Sequence, residues 1–219
     1  MASRPKTAEP RPAPRLYLIS PVLTDTTGFA PLLDAALDAA DVAALLLRLA
    51  TADEGTLIKR AKALAGPVQT RGVAVLLDGR PELVARARVD GVHATGLTAF
   101  ADAVEQLKPD GIVGVGGLLS RHDAMLAAEQ GADYLMFGEP DAHGTRPHFA
   151  VIEERVAWWA EVFESPCVGY AGAVEEVAPL VAAGADFVAL GDWLWNDPAG
   201  LRATLGAVMQ ALRLPEATA

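Results

Sequence analysis

Eight short apolar runs punctuate the chain, and a stretch of helical spacing follows each one. The runs are residues 15–20, 43–49, 72–77, 91–95, 111–115, 134–137, 166–170 and 187–190. They are rich in Val, Ile, Leu and aromatic residues and end at Pro, Gly or a charged residue, as strands do. The first is expected to stop at Pro21. Between runs, residues 27–40 place Phe29, Leu32, Leu33, Ala36 and Leu37 on one helical face. Further helices are predicted over 53–65, 98–107, 149–163, 174–183 and 198–213, one opened by Pro81 and one by the capping pattern Ser120-Arg-His-Asp123. The segment 139–148 is polar and predicted to be the longest unstructured stretch in the domain.

One segment is repeated. Residues 128–138 and 181–191 each read as the end of an Ala-rich helix, a Gly, an Asp, a four-residue apolar run and a second Gly. Gly131 and Gly184 are 53 residues apart, which leaves room for a helix-plus-strand unit twice over. Strict strand–helix alternation, with strands apolar on both faces, requires a parallel sheet covered by helices. An open doubly wound sheet and a closed barrel both satisfy that rule. Eight near-equal units and an echo two units apart favour a single (β/α)8 TIM barrel over residues 15–214, preceded by a disordered arm at 1–14 that carries four prolines.

Composition narrows the function classes. Hydrophobic residues are 52% of the 219, but charged residues or glycines interrupt every run, so no membrane-spanning segment is expected. The arm lacks the apolar block of a secretory signal, and the single cysteine, Cys167, suits a reducing cytoplasm. Eighteen Lys+Arg against 28 Asp+Glu give a net charge of −10, which disfavours nucleic acid and anionic membranes as partners. An anionic ligand then needs a local site.

In a barrel that site lies just past the C-terminal ends of the strands. There the sequence offers Arg48, Asp78, Arg80, His93, Thr95, Glu139 through His148, Gly172 and Gly191 with Asp192. Arg48 ends an apolar strand, where a charge needs either the barrel mouth or an ionic partner. His93 reads as a general acid/base or as a hydrogen-bonded core imidazole. Gly172 and Gly191 read as backbone phosphate holders or as plain tight turns. Glu139, Asp141, His143 and His148 lack the spacing of a strong metal site, so none is assigned. Trp158, Trp159, Trp193 and Trp195 are expected to pack or to form an oligomer surface.

Leu47-Arg48, Leu77-Asp78-Gly79-Arg80, Asp90-Gly-Val-His93, the segment Gly131–Gly138, the segment Pro166–Gly172 and the segment Ala182–Ala189 occur in an order and spacing that resemble the thiamine-phosphate synthase/TenI superfamily, over roughly residues 15–212. The resemblance implies a (β/α)8 barrel. For synthase members it implies a transfer that joins hydroxymethylpyrimidine diphosphate to thiazole phosphate with Mg²⁺ and releases pyrophosphate. TenI-type members instead isomerise a thiazole carboxylate phosphate. A non-catalytic phosphate-ligand-binding barrel is the remaining alternative. Carried over residue by residue, the resemblance implies an altered diphosphate site of Arg48, Asp78, Arg80, Thr145 and Arg146. It also implies a phosphate cup at Gly172 and Gly191, and acid/base roles for His93 or Glu139. Gly79 and Thr98 stand where the family carries metal-binding Asp residues, and Asp192 stands where it carries Ser. Small phosphorylated thiamine precursors are the implied partners, in the cytoplasm, and a homodimer is compatible with the sequence.

Overall fold

The computed structural model describes residues 12–213. Eight parallel strands close into one barrel in sequence order: β1 (Arg15–Leu23), β2 (Val42–Leu49), β3 (Ala74–Asp78), β4 (Gly91–Thr95), β5 (Ile112–Gly116), β6 (Tyr134–Phe137), β7 (Cys167–Ala171) and β8 (Phe187–Leu190). The covering helices are α1 (Ala30–Ala39), α2 (Glu54–Gln69), α3 (Val84–Ala87), α4 (Leu97–Leu107), α5 (Arg121–Glu129), α6 (Phe149–Val162), α7 (Val177–Ala182), α8 (Asp192–Trp195) and α9 (Leu201–Ala211). The barrel reading therefore holds in strand number, direction and order. Of the arm predicted for residues 1–14, residues 1–11 lie outside the described chain, as does residue 214.

Alternation along each strand divides the apolar residues into two layers. Leu16, Leu18, Leu45, Leu47, Val75 and Leu77 face the helices. Tyr17, Ile19, Ala44, Leu46, Leu76, Tyr134, Met136, Val168, Tyr170 and Ala189 fill the barrel interior. Tyrosine enters that interior because β5 supplies no side chain opposite: a Cβ on Gly114 would lie 2.0 Å from the Tyr134 ring.

The repeated Gly-Ala-Asp segment has a purpose at the opposite end from the chemistry. Asp133, just before β6, accepts the Val113 N–H of β5 at 2.6 Å. Asp186, just before β8, accepts the Cys167 N–H of β7 at 2.8 Å. Asp90 does the same for Val75 of β3 at 2.7 Å. Each carboxylate satisfies a backbone donor where a strand begins, so the echo encodes the pairing of strands at the barrel floor. That face stabilises TIM barrels and does not catalyse.

Several boundaries differ from the sequence reading. β1 runs past Pro21 to Leu23, with a register shift against β2 between Ile19 and Val22 that absorbs the missing N–H. β3 starts at Ala74 instead of Gly72. Pro81 opens only a 3-10 turn, Pro81–Leu83, and the single helical turn of α3. The last helix is preceded by an unforeseen short one, α8, whose Trp195 donates its indole N–H to the Ile19 carbonyl at 2.7 Å. Segment 139–148 holds no helix or strand, as expected, but local hydrogen bonds order it. Asp141 accepts the His143 and Thr145 N–H groups at 2.8 and 2.9 Å, and its backbone N–H bonds the Thr145 carbonyl, which together fold it into a tight turn.

Candidate active site at the barrel mouth

Strand parity decides what reaches the mouth. Arg48 continues the inward row of Ala44 and Leu46, and Asp78 continues that of Ala74 and Leu76. Arg48 does not face solvent alone: its Nη1 bonds both carboxylate oxygens of Asp192, at 3.1 and 3.2 Å. Of the two alternatives, the ion pair is the one present, and it sits at the barrel mouth. Asp78 is partly shielded by the surrounding protein, which raises its carboxyl above the usual range, while Arg48 nearby pulls it back. Arg80 adopts a left-handed backbone (φ 61°) at the start of its turn. It reaches Glu82 only at 3.9 Å and projects away from the mouth centre into an outer cleft. That cleft, of about 440 Å³, is also lined by Asp78, Thr95, Asp102 and Gln106.

His93 is a hydrogen-bonded core imidazole. It is buried, and its Nδ1 lies 3.0 Å from the Tyr134 hydroxyl, which in turn lies 2.7 Å from the Tyr17 hydroxyl. Burial pushes its pKa down to about 4, so the ring is neutral at pH 7. Nε2 points the other way, toward the bare Cα of Gly116: a Cβ there would meet Nε2 at 2.9 Å and Oε1 of Glu139 at 2.0 Å. Glu139 is anchored by the Gly117 N–H, and burial raises its carboxyl above the usual carboxylate range despite that bond. A neutral imidazole and a carboxyl with raised proton affinity converge on one spot, backed by a hydrogen-bonded tyrosine pair. This is an arrangement for moving a proton.

Near β7 and β8 the predicted phosphate cup is closed. The Gly172 N–H donates to Oε2 of Glu176 at 2.6 Å, and the same oxygen takes Nη2 of Arg146 at 2.9 Å. The Arg146 guanidinium also lies 5.5 Å from the centre of the Tyr170 ring. Gly191 is not an open cradle: the Tyr170 hydroxyl occupies the space above it, 2.4 Å from where a Cβ would stand. Thr145 is exposed and its backbone serves the Asp141 turn, so it joins neither Arg48 nor Asp78. The structure therefore splits the nine predicted residues. Arg48 and Asp78 come together, as do His93 and Glu139. Arg146 joins Gly172 instead of Arg48, while Arg80, Thr145 and Gly191 stand apart from ligand-ready geometry.

A model of the family described as thiamine monophosphate synthase matches residues 16–193. The chain belongs to that family. It is 44% identical over 202 residues to thiamine-phosphate synthase of Rhodospirillum centenum, covering 91% of this chain and 98% of that one. Identity to the thiamine-phosphate synthase of Hyphomonas neptunium is 39% over 210 residues, covering 92% and 95%. Among solved structures, thiamine phosphate pyrophosphorylase from Pyrococcus furiosus shares the fold, with a TM-score of 0.73 at 18% identity and coverage of 90% and 95%. A 3-hexulose-6-phosphate synthase also shares it, at a TM-score of 0.67, 16% identity and coverage of 90% and 100%.

Membership in the thiamine monophosphate synthase family raises the matter of Mg²⁺. The residues present do not fit a two-carboxylate metal site: Asp78 is one carboxylate, and its nearest charged influence is the Arg48 cation. Among the described residues no group of three or more His, Cys, Asp or Glu side chains converges. No described helix is long and apolar enough to cross a membrane.

Tyr17, Tyr134, Tyr170 and Glu176 belong to this site and were not singled out from the sequence. The tyrosines carried a usable signal, since each sits at inward parity in its strand. Glu176 carried none, being one of two adjacent glutamates in a polar helix start.

Proposed function

We propose that this chain is a thiamine-phosphate-synthase-type transferase that acts in the cytoplasm on small phosphorylated thiamine precursors. In the reaction, the bond from the pyrimidine methylene carbon to the diphosphate oxygen breaks, and its electron pair leaves with pyrophosphate. The thiazole nitrogen then donates its lone pair to form the new C–N bond. The protein must neutralise the departing charge and hold the second substrate by its phosphate. One observation carries the reading: two arginines at the mouth, Arg48 and Arg146, are each held by a carboxylate, Asp192 and Glu176. Two such cations suit two phosphate-bearing substrates, provided the ligands displace Asp192 and Glu176. Supplied with both substrates, the purified protein is expected to release pyrophosphate. No release above blank at saturating substrate overturns the reading.

The Glu139–His93 pair favours a second reading, a TenI-like proton-transfer enzyme. Here Glu139 takes a carbon-bound proton from a thiazole carboxylate phosphate and His93 holds or returns one at Nε2. Solvent-deuterium exchange into that ligand, abolished in Glu139→Gln, is the expected outcome; unchanged exchange in the variant excludes Glu139 as the base.

A further inference from the structure

Glu176 engages two anion-binding groups of the protein at once. Its Oε2 accepts both the Gly172 N–H and Arg146 Nη2, at 2.6 and 2.9 Å. The guanidinium packs directly on Gly172, since a Cβ there would fall onto Arg146 Nη1. One donor is left over: Nε of Arg146 is buried without a hydrogen-bond partner. A buried unpaired N–H on a cation is unfavourable and calls for an acceptor. The Glu176 carboxylate does not reach it: Oε2 takes the Gly172 N–H and Nη2, and Nε stays unpaired. A phosphate group has three terminal oxygens and can meet Gly172 N–H, Nη2 and Nε together.

We infer that Glu176 is a resident stand-in for a phosphate, occupying a seat built from Arg146 and the Gly172 N–H and swinging out when a substrate phosphate arrives. The inference rests on reading this mouth as a phosphate site. Its consequence is selectivity. Only a ligand that outcompetes an internal carboxylate for three donors enters, so free carboxylates and weakly charged anions are excluded while a phosphate dianion is admitted. Removal of the resident charge lets Arg146 turn to the ligand, since a like charge within hydrogen-bond distance opposes a second anion. Glu176 has room to leave: its side chain is 20% exposed and sits at the end of a 3-10 turn, Val174–Glu176.

The test is to titrate inorganic phosphate, and separately inorganic pyrophosphate, into the intact wild-type protein and into Glu176→Gln and Glu176→Ala. Heat of binding and the thermal midpoint are followed. Glu176→Gln is expected to bind one of the two anions at least about tenfold more tightly than wild type. Glu176→Ala is expected to unfold at lower temperature than wild type in phosphate-free buffer and to be restored by that anion. In Arg146→Ala/Glu176→Ala the gain disappears. A gain toward either anion upholds the inference and identifies the substrate group admitted. Equal affinities in wild type and Glu176→Gln overturn it, and that variant carries the test if Glu176→Ala does not fold. Because the readout is binding, absent pyrophosphate release from the substrates would overturn the transferase reading without touching this result.

Discussion

Arg48 and Asp192 meet across 144 residues of sequence, the guanidinium of β2 against the first residue of α8, at 3.1 Å. The contact exists because β8 pairs with β1 and β1 with β2, which brings the chain's end to its beginning at the mouth. The position where the resemblance implies a Ser thereby holds a charge that pairs with the inward-parity arginine of β2. Asp192 is 58% exposed on its side chain, so the pair is worth less than about 1 kcal/mol to stability.

Asp192→Ser should accordingly leave the urea midpoint nearly unchanged while freeing Arg48. Pyrophosphate affinity, measured by calorimetry, is expected to rise several-fold. A fall in affinity would mean that Asp192 orients Arg48 for the ligand instead of competing with it.

His93 makes stability pH-dependent in a definite direction. Its pKa is about 4 when folded against about 6.5 unfolded. Between those values the unfolded chain binds the extra proton, so the stabilising contribution of the neutral ring is complete above pH ~6.5 and is lost as pH falls toward 4. Urea unfolding at pH 7 and pH 4.5 should differ by roughly 2–3 kcal/mol from this group alone. His93→Gln should lack that part of the acid sensitivity.

Glu139 has the opposite sign. A carboxyl whose folded pKa is raised stabilises the fold when protonated, and that contribution is lost as pH rises through the raised value. Glu139→Gln is expected to be at least as stable as wild type at pH 7, with the difference vanishing in acid. Marked destabilisation at pH 7 would show that the Gly117 N–H bond outweighs the burial of charge.

Tyr134→Phe removes the hydroxyl that links Tyr17 to His93. It leaves two buried polar groups unpaired, at a cost of about 1–3 kcal/mol each when unrelieved. The midpoint should drop, and the histidine titration, followed by NMR, should move because Nδ1 has lost its partner. An unmoved titration would place the tyrosine pair in a purely space-filling role.

Much of this was legible in one dimension. The eight apolar runs fixed the strands to within a few residues, because a strand buried on both faces leaves an unbroken apolar signature. The strand end that ran furthest past its expected stop, beyond Pro21, arose where a register shift accommodates a residue that normally stops a ladder. α8 was missed because Asp192–Trp195 is a single turn, too short for helical periodicity to register. The candidate site was legible as a set of strand ends and not as a set of contacts. Arg48, Asp78, His93, Glu139, Arg146 and Gly172 were singled out because barrel chemistry collects there. Glu176 was not, since a glutamate at a helix start ordinarily faces water.

The sequence by itself determined the barrel, its family and the identity of the groups at its mouth, because strand parity and chain order are local properties. Only the tertiary structure decided which of those groups face one another. Asp192 meets Arg48 through barrel closure, Arg146 of segment 139–148 is brought to the Glu176 carboxylate that Gly172 holds from four residues away, and Glu139 Oε1 and His93 Nε2 both approach the bare Cα of Gly116. Electrostatics acts through space, so charges whose separation along the chain conveys nothing are paired when the strands close.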